Sequence, residues 1–182
     1  MPTDEELIRE VQSGSQAAME VLVKRHYRDV FAFIYRKLGD YHAACDLTQE
    51  VFLRVLQSLS RYRESGQFQH WLMKVTVNCC RDFTRSRTFS EQNNVVEYED
   101  SILGTNVTSL FEKSARRQEI KEAILSLPQE QQDAVILYFY SGFKIREIAK
   151  ITGAKEATVK SRLHLAAHKM KKFLIEGEHV AE

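Results

Sequence analysis

With 182 residues, 43% of them hydrophobic, the chain is long enough for one or two ordinary cores, and its formal net charge of +1 sets it apart from uniformly basic or acidic proteins. Two prolines and seven glycines supply too little turn chemistry for a many-stranded sheet, so an all-helical reading starts ahead. No apolar run approaches the roughly 20 residues that span a bilayer. The acidic, amphipathic start MPTDEELIREV does not read as a signal peptide, so no membrane insertion is expected and the expected location is the cytoplasm.

In chain order, Thr3 and Glu6 form a capping box for a short helix over Asp4 to Ser13, broken by Ser13, Gly14 and Ser15. A long helix follows over Gln16–Leu38, with Met19, Leu22, Val23, His26, Val30, Phe33, Ile34 and Leu38 on its buried stripe and Gly39 as its stop. The next helix, His42 to Leu59, buries Leu47, Val51, Phe52, Val55, Leu56 and Leu59. Asp46, Gln49, Glu50, Leu53, Arg54 and Gln57 lie on the opposite side. Leu53 thus sits in a polar face, as an ordinary isolated surface leucine or as the apolar centre of a protein contact.

Residues 60–67 read as a polar loop, and a further helix runs from Phe68 to about Arg87. Phe68, Trp71, Leu72, Val75, Cys79 and Phe83 share its apolar face. His70, Lys74, Asn78, Arg81 and Arg85 form an adjoining stripe, with Trp71 at the border. Aromatics beside cations suit single-stranded nucleic acid, where phosphates meet charge and bases stack on rings; the same pattern also fits a helix whose aromatics are core and whose stripe is solvated.

From Ser90 to Glu112 there are five acidic residues and no Lys or Arg, which reads as an acidic linker with a short helix near Leu110. Helical pattern resumes over Arg116 to Leu127. Pro128 starts the next helix, Gln129 to Tyr140. Beyond it, two short helical patterns meet at Gly153, a residue that tolerates the positive φ of a tight turn. Ile145, Ile148 and Ala149 line the first, and Val159, Leu163, Ala166 and Met170 the second, which is the pattern of a helix-turn-helix. Residues 144–172 carry nine Lys/Arg and two Glu, a net of +7 in a chain of +1. Such a basic stripe attracts a phosphate backbone. On the second helix Ala157, Lys160, Ser161, His164 and His168 project away from the apolar side, towards base edges, while Arg162 and Lys169 lie on the flank where phosphates pass.

Cys45, Cys79 and Cys80 lack CxxC spacing and read as free thiols. His164 and His168 stand at i, i+4 without an evident third ligand, so neither a metal nor another cofactor is expected. No carboxylate cluster, P-loop or nucleophile motif points to an enzyme.

Four features stand in a fixed order: DLTQEVF at 46–52, FQHWLMKVTVNCCRDFTRSR at 68–87, an acidic segment, and LPQEQQDAVILYFYSGFKIREIAKITGAKEATVKSRL at 127–163. In this the chain resembles bacterial RNA polymerase sigma factors of the extracytoplasmic function (ECF) group, over nearly its whole length. The C-terminal motif alone is shared by LuxR-type regulators, so a free-standing regulator is the alternative; that reading needs a sensory or dimerising N-terminal domain that residues 1–90 do not offer.

The resemblance implies an all-α chain of two small helical domains on an acidic flexible linker. Residues 1–89 become region two, 90–113 the linker, and 114–182 region four with the helix-turn-helix. It also implies a non-enzymatic subunit that binds core RNA polymerase at its clamp and flap and directs promoter-specific initiation of a stress or envelope regulon, with an anti-sigma factor as a further partner. By resemblance Asp46, Gln49, Glu50 and Leu53 contact the clamp. Tyr62, Phe68, Trp71, Lys74, Asn78 and Arg85 melt the −10 element and hold its single strand, with Asp82 also on the family motif, and Arg81 joins them from the basic stripe of the same helix. Lys155, Thr158, Lys160, Ser161, Arg162, His164, His168 and Lys169 meet the −35 duplex. Leu165 stands where the family often has Arg, which removes one expected phosphate contact.

Overall fold

The computed structural model describes residues 2–63, 66–91 and 108–178. Among these there are helices and no strands: α1 Asp4–Gln12, α2 Gln16–Leu38, α3 Tyr41–Leu59, α4 Phe68–Glu91, α5 Thr108–Leu125, α6 Gln129–Val135 with a π turn Ile136–Tyr140, α7 Ile145–Thr152 and α8 Glu156–Glu178. The all-helical expectation holds. The central part of the expected acidic linker, residues 92–107, lies outside the described residues.

Local chemistry accounts for the boundaries. The Thr3 hydroxyl accepts from the Glu6 N–H and the Glu6 carboxylate accepts from the Thr3 N–H at 2.7 Å, closing the capping box. Ser15 caps α2 through the Ala18 N–H, and Asp40 caps α3 through the Ala43 N–H at 3.0 Å, each stabilising by about 1 kcal/mol. The Asp40 cap starts α3 at Tyr41, one residue before the expected His42. Gly39 ends α2 in the left-handed region at φ 75°. A Cβ there would also lie 2.8 Å from Leu125 Cδ1 on α5, so that leucine would have to shift.

Two helices run further than expected. α4 continues to Glu91, and α5 is one helix from Thr108 where a short helix near Leu110 and a second from Arg116 were expected. No Gly or Pro interrupts 108–125, so nothing in the sequence separates the two pieces.

α1 to α4 form one group and α5 to α8 another. α1 is tied to α2 by Asp4, which accepts from Arg25 at 2.6 Å and faces His26 Nε2 at 3.0 Å. Gln12 donates from α1 to the carbonyls of Leu59 and Tyr62, holding the exit of α3. The expected stripes are buried, including Leu22, Val30, Phe33 and Ile34 on α2 and Leu47, Val51, Val55 and Leu59 on α3.

The two groups pack directly on one another, α4 against α7 and α2 against α5 and the π turn. Their apolar side chains form one continuous cluster from Leu7 to Ala166. α4 packs against α2, α3 and α7, and Met73, Val77 and Cys80 on it are buried beyond the single apolar face drawn from its sequence.

Candidate nucleic-acid and polymerase interfaces

On α3 the side opposite the core carries Asp46, Gln49, Glu50 and Leu53, all exposed. Leu53 is 60% exposed, so none of the described residues covers it. Arg54 ion-pairs with Glu50 one turn back and reaches Asp82 of α4 at 3.4 Å. The result is an acidic patch around an apolar centre, braced from below by one guanidinium.

The start of α4 is organised by rings. Tyr62, Phe68 and Trp71 cluster with centroid separations of 5.1 to 5.7 Å, and His26 closes on Phe68 edge-on at 5.4 Å. The Tyr62 hydroxyl donates to Glu5 Oε1 at 2.9 Å, clasping this loop to α1. Phe68 is buried and presents no ring face to a ligand, which corrects its expected place in the single-strand set: it is the floor on which Tyr62 and Trp71 rest half-buried. Lys74, Asn78 and Arg85 are exposed along the stripe.

Arg81 and His70 leave that stripe and turn to the other group of helices. Arg81 donates from Nε and Nη2 to Asp133 Oδ2 of α6 at 3.3 and 3.1 Å. His70 Nε2 lies 3.3 Å from Glu147 of α7, and its ring meets Phe143 edge-on at 5.6 Å. In this arrangement Arg81 is occupied by a carboxylate, so the expected stripe is divided.

α7 and α8 form the helix-turn-helix. The Glu147 carboxylate accepts the Lys144 N–H at 2.7 Å at the start of α7, and Gly153 ends it at φ 69°. Ile148, Ile151, Val159 and Ala166 fill the angle between the two helices. Lys155, just before α8, and Thr158, Lys160, Ser161, His164, His168 and Lys169 on it are all exposed, a ridge of donors and cations without an acidic residue after Glu156 in that span. Arg162 differs from the other members of the set. It donates to Glu130 of α6 at 2.6 Å and its side chain is 17% exposed, so it fastens α8 to α6.

Sequence reasoning missed the aromatic surface of the π turn. Tyr138, Phe139 and Tyr140 are exposed, and the guanidinium of Arg36 sits 4.5 Å over the Tyr140 ring. An α-helical wheel misplaces these residues, because the Ser141 N–H reaches back to the Ile136 carbonyl, an i to i+5 bond. Among the described residues no group of three or more His, Cys, Asp or Glu stands together as a metal site, and no helix is long and apolar enough to cross a membrane.

The comparisons with known proteins agree with both halves of this geometry. Residues 22–89 match the Sigma-70 region 2 family and residues 117–170 the Sigma-70 region 4 family. The chain is 33% identical over 175 residues to the ECF RNA polymerase sigma factor SigE of Mycolicibacterium smegmatis, covering 93% of this chain and 67% of that protein. It is 29% identical to the ECF RNA polymerase sigma-E factor of Escherichia coli, covering 90% of each. Its fold is that of the sigma factor RpoE of Bartonella quintana, solved with the anti-sigma factor NepR, at a TM-score of 0.71 and 23% identity over 85% of this chain and 95% of that one. CnrH, solved with the cytosolic domain of CnrY, matches at a TM-score of 0.70 and 21% identity over 95% of this chain and 97% of that one. With two family matches in the expected order and a relative of this identity along nearly its whole length, the chain belongs to the ECF RNA polymerase sigma factors.

Proposed function

We propose that this sigma factor divides its work between residues 1–89, which hold the polymerase clamp and the melted −10 strand, and residues 114–182, which read the −35 duplex beside the flap. Asp46, Gln49, Glu50 and Leu53 contact the clamp. Tyr62, Trp71, Lys74, Asn78 and Arg85 hold the single strand, joined by Arg81 once Asp133 releases it. Lys155, Thr158, Lys160, Ser161, His164, His168 and Lys169 form the duplex-facing ridge. The protein acts in the cytoplasm without catalysing a reaction, serves a stress or envelope regulon, and is restrained by an anti-sigma factor.

The observation that carries this reading is the exposed Leu53 inside an acidic face, in the same chain as a basic recognition ridge. Each DNA-reading surface is small. Tight promoter binding therefore needs polymerase to hold both at a fixed spacing, an effective-concentration effect. The purified chain is expected to retain promoter DNA only when core RNA polymerase is present. Leu53→Asp, or Asp46→Lys with Glu50→Lys, is expected to abolish that retention while leaving helicity by circular dichroism intact. Nanomolar, sequence-specific binding by the chain alone would overturn the reading in favour of a free-standing regulator.

A further inference from the structure

Lys37 at the end of α2 is buried, its side chain 1% exposed, and ion-pairs with Asp133 of α6, whose side chain is 0% exposed. Arg81 of α4 binds the other oxygen of the same carboxylate. Backbone groups complete the set: Gln132 donates to the Lys37 carbonyl at 3.1 Å, and Lys37 Nζ lies 3.4 Å from the Gln129 carbonyl. One anion from the C-terminal half is thus clamped between two cations from the N-terminal half.

A buried ion triad contributes little net stability, because desolvation offsets the attraction, but it defines one register and fails sharply when a member is lost. This one defines how the halves dock. On the reading above, the same halves must also bind elements centred about 25 base pairs apart, roughly 85 Å of duplex at about 3.4 Å per base pair. A compact chain of this length has a radius of gyration of about 16 Å and a diameter of roughly 40 Å. The docked form therefore cannot reach both elements.

We propose that Lys37, Asp133 and Arg81 form a latch that holds the sigma factor closed, with Asp133 in the place of a DNA phosphate on Arg81, and that the latch must break before both promoter elements are engaged. The clamp face on α3 and the ridge on α8 stay exposed while the latch is shut. Polymerase can therefore make a first contact with the closed chain, but holding clamp and flap together needs the halves apart, and opening frees Arg81 and separates the two DNA-binding halves. The inference rests on the function proposed above for its consequence, although the latch itself is a property of the free chain.

The test is small-angle X-ray scattering on the free full-length chain, with affinity for purified bacterial core RNA polymerase measured in parallel. Wild type is expected near 16 Å. Asp133→Lys, which sets a third cation against Lys37 and Arg81, is expected to exceed about 20 Å, as two separated domains would. Its apparent affinity for core polymerase should rise about tenfold, because the binding-competent fraction rises. Lys37→Met keeps the aliphatic stem and tests the same contact if Asp133→Lys loses helicity. A wild-type chain that is already extended, variants that stay compact, or loss of helix in both variants would each overturn the latch. Opened variants that bind no polymerase, together with a wild type that binds none, would leave the latch standing and remove the sigma function instead.

Discussion

Arg162 of α8 donates to Glu130 of α6 at 2.6 Å, so the side chain that the helical wheel assigns to the phosphate flank is held by a neighbouring helix. Glu130 is largely exposed, which limits the pair to about 0–1 kcal/mol of stability. Arg162→Ala is expected to change the salt dependence of binding to duplex DNA little. Lys169→Ala, on an exposed side chain without this anchor, should lower the slope of log K against log salt by about one unit. Titrating the holoenzyme formed with each variant against a promoter duplex at several salt concentrations compares the two.

Lys160 and His164 stand on the exposed ridge of α8, opposite the buried Val159. Base contacts carry sequence information that phosphate contacts lack. Lys160→Ala or His164→Ala is therefore expected to change which −35 bases are accepted, by ~1–3 kcal/mol at the affected position. Transcription from a randomised −35 library with each variant holoenzyme reads this directly. A uniform loss across the library would reassign both residues to the backbone.

Trp71 and Asn78 separate folding from melting. Trp71 packs on Tyr62 and Phe68, so Trp71→Ala is expected to lower stability by about 2–3 kcal/mol as well as slow promoter opening. Asn78 is exposed, and Asn78→Ala should leave stability within about 0.5 kcal/mol. Stacking of an unstacked base on Trp71 is worth ~1–3 kcal/mol, up to roughly a hundredfold in opening. Permanganate reactivity on ordinary and pre-melted templates should show a larger Asn78→Ala defect on the former.

The thiols report on the core and on the latch. Burial pushes the Cys79 and Cys80 thiols up from their ordinary value, so neither forms appreciable thiolate at neutral pH. In the native chain Cys45, only partly buried, is expected to react with an aromatic disulfide reagent about a hundredfold faster than the other two. Cys80 lies within electrostatic reach of Lys37 and Asp133, whereas Cys79 faces Arg54 of α3. Asp133→Lys should accordingly speed the labelling of Cys80 more than that of Cys79, as read by peptide mass mapping.

What the sequence by itself determined is what short-range chemistry controls. Caps such as Thr3, the stop at Gly39, the 3.6-residue stripes and the turn at Gly153 depend on neighbours a few positions away, so the helices and the helix-turn-helix were legible. The exposure of Leu53 and of the α8 ridge followed from the same periodicity, because these side chains lie off the apolar stripe on sides that no other described helix covers. Tertiary structure alone decided the partners of Lys37, Arg81, Asp133 and Arg162. A helical wheel knows one buried side per helix, and α4 has two. Met73, Val77 and Cys80 became core because α4 packs against α2, α3 and α7 at once, and Arg81 became an ion-pair partner because α6 brings Asp133 beside it. Lys37 and Asp133 lie 96 positions apart, and no local pattern carries the information that two charges so distant in the chain are buried against each other. Their pairing depends on the register in which the two halves close, and that register is set by the complementarity of whole surfaces.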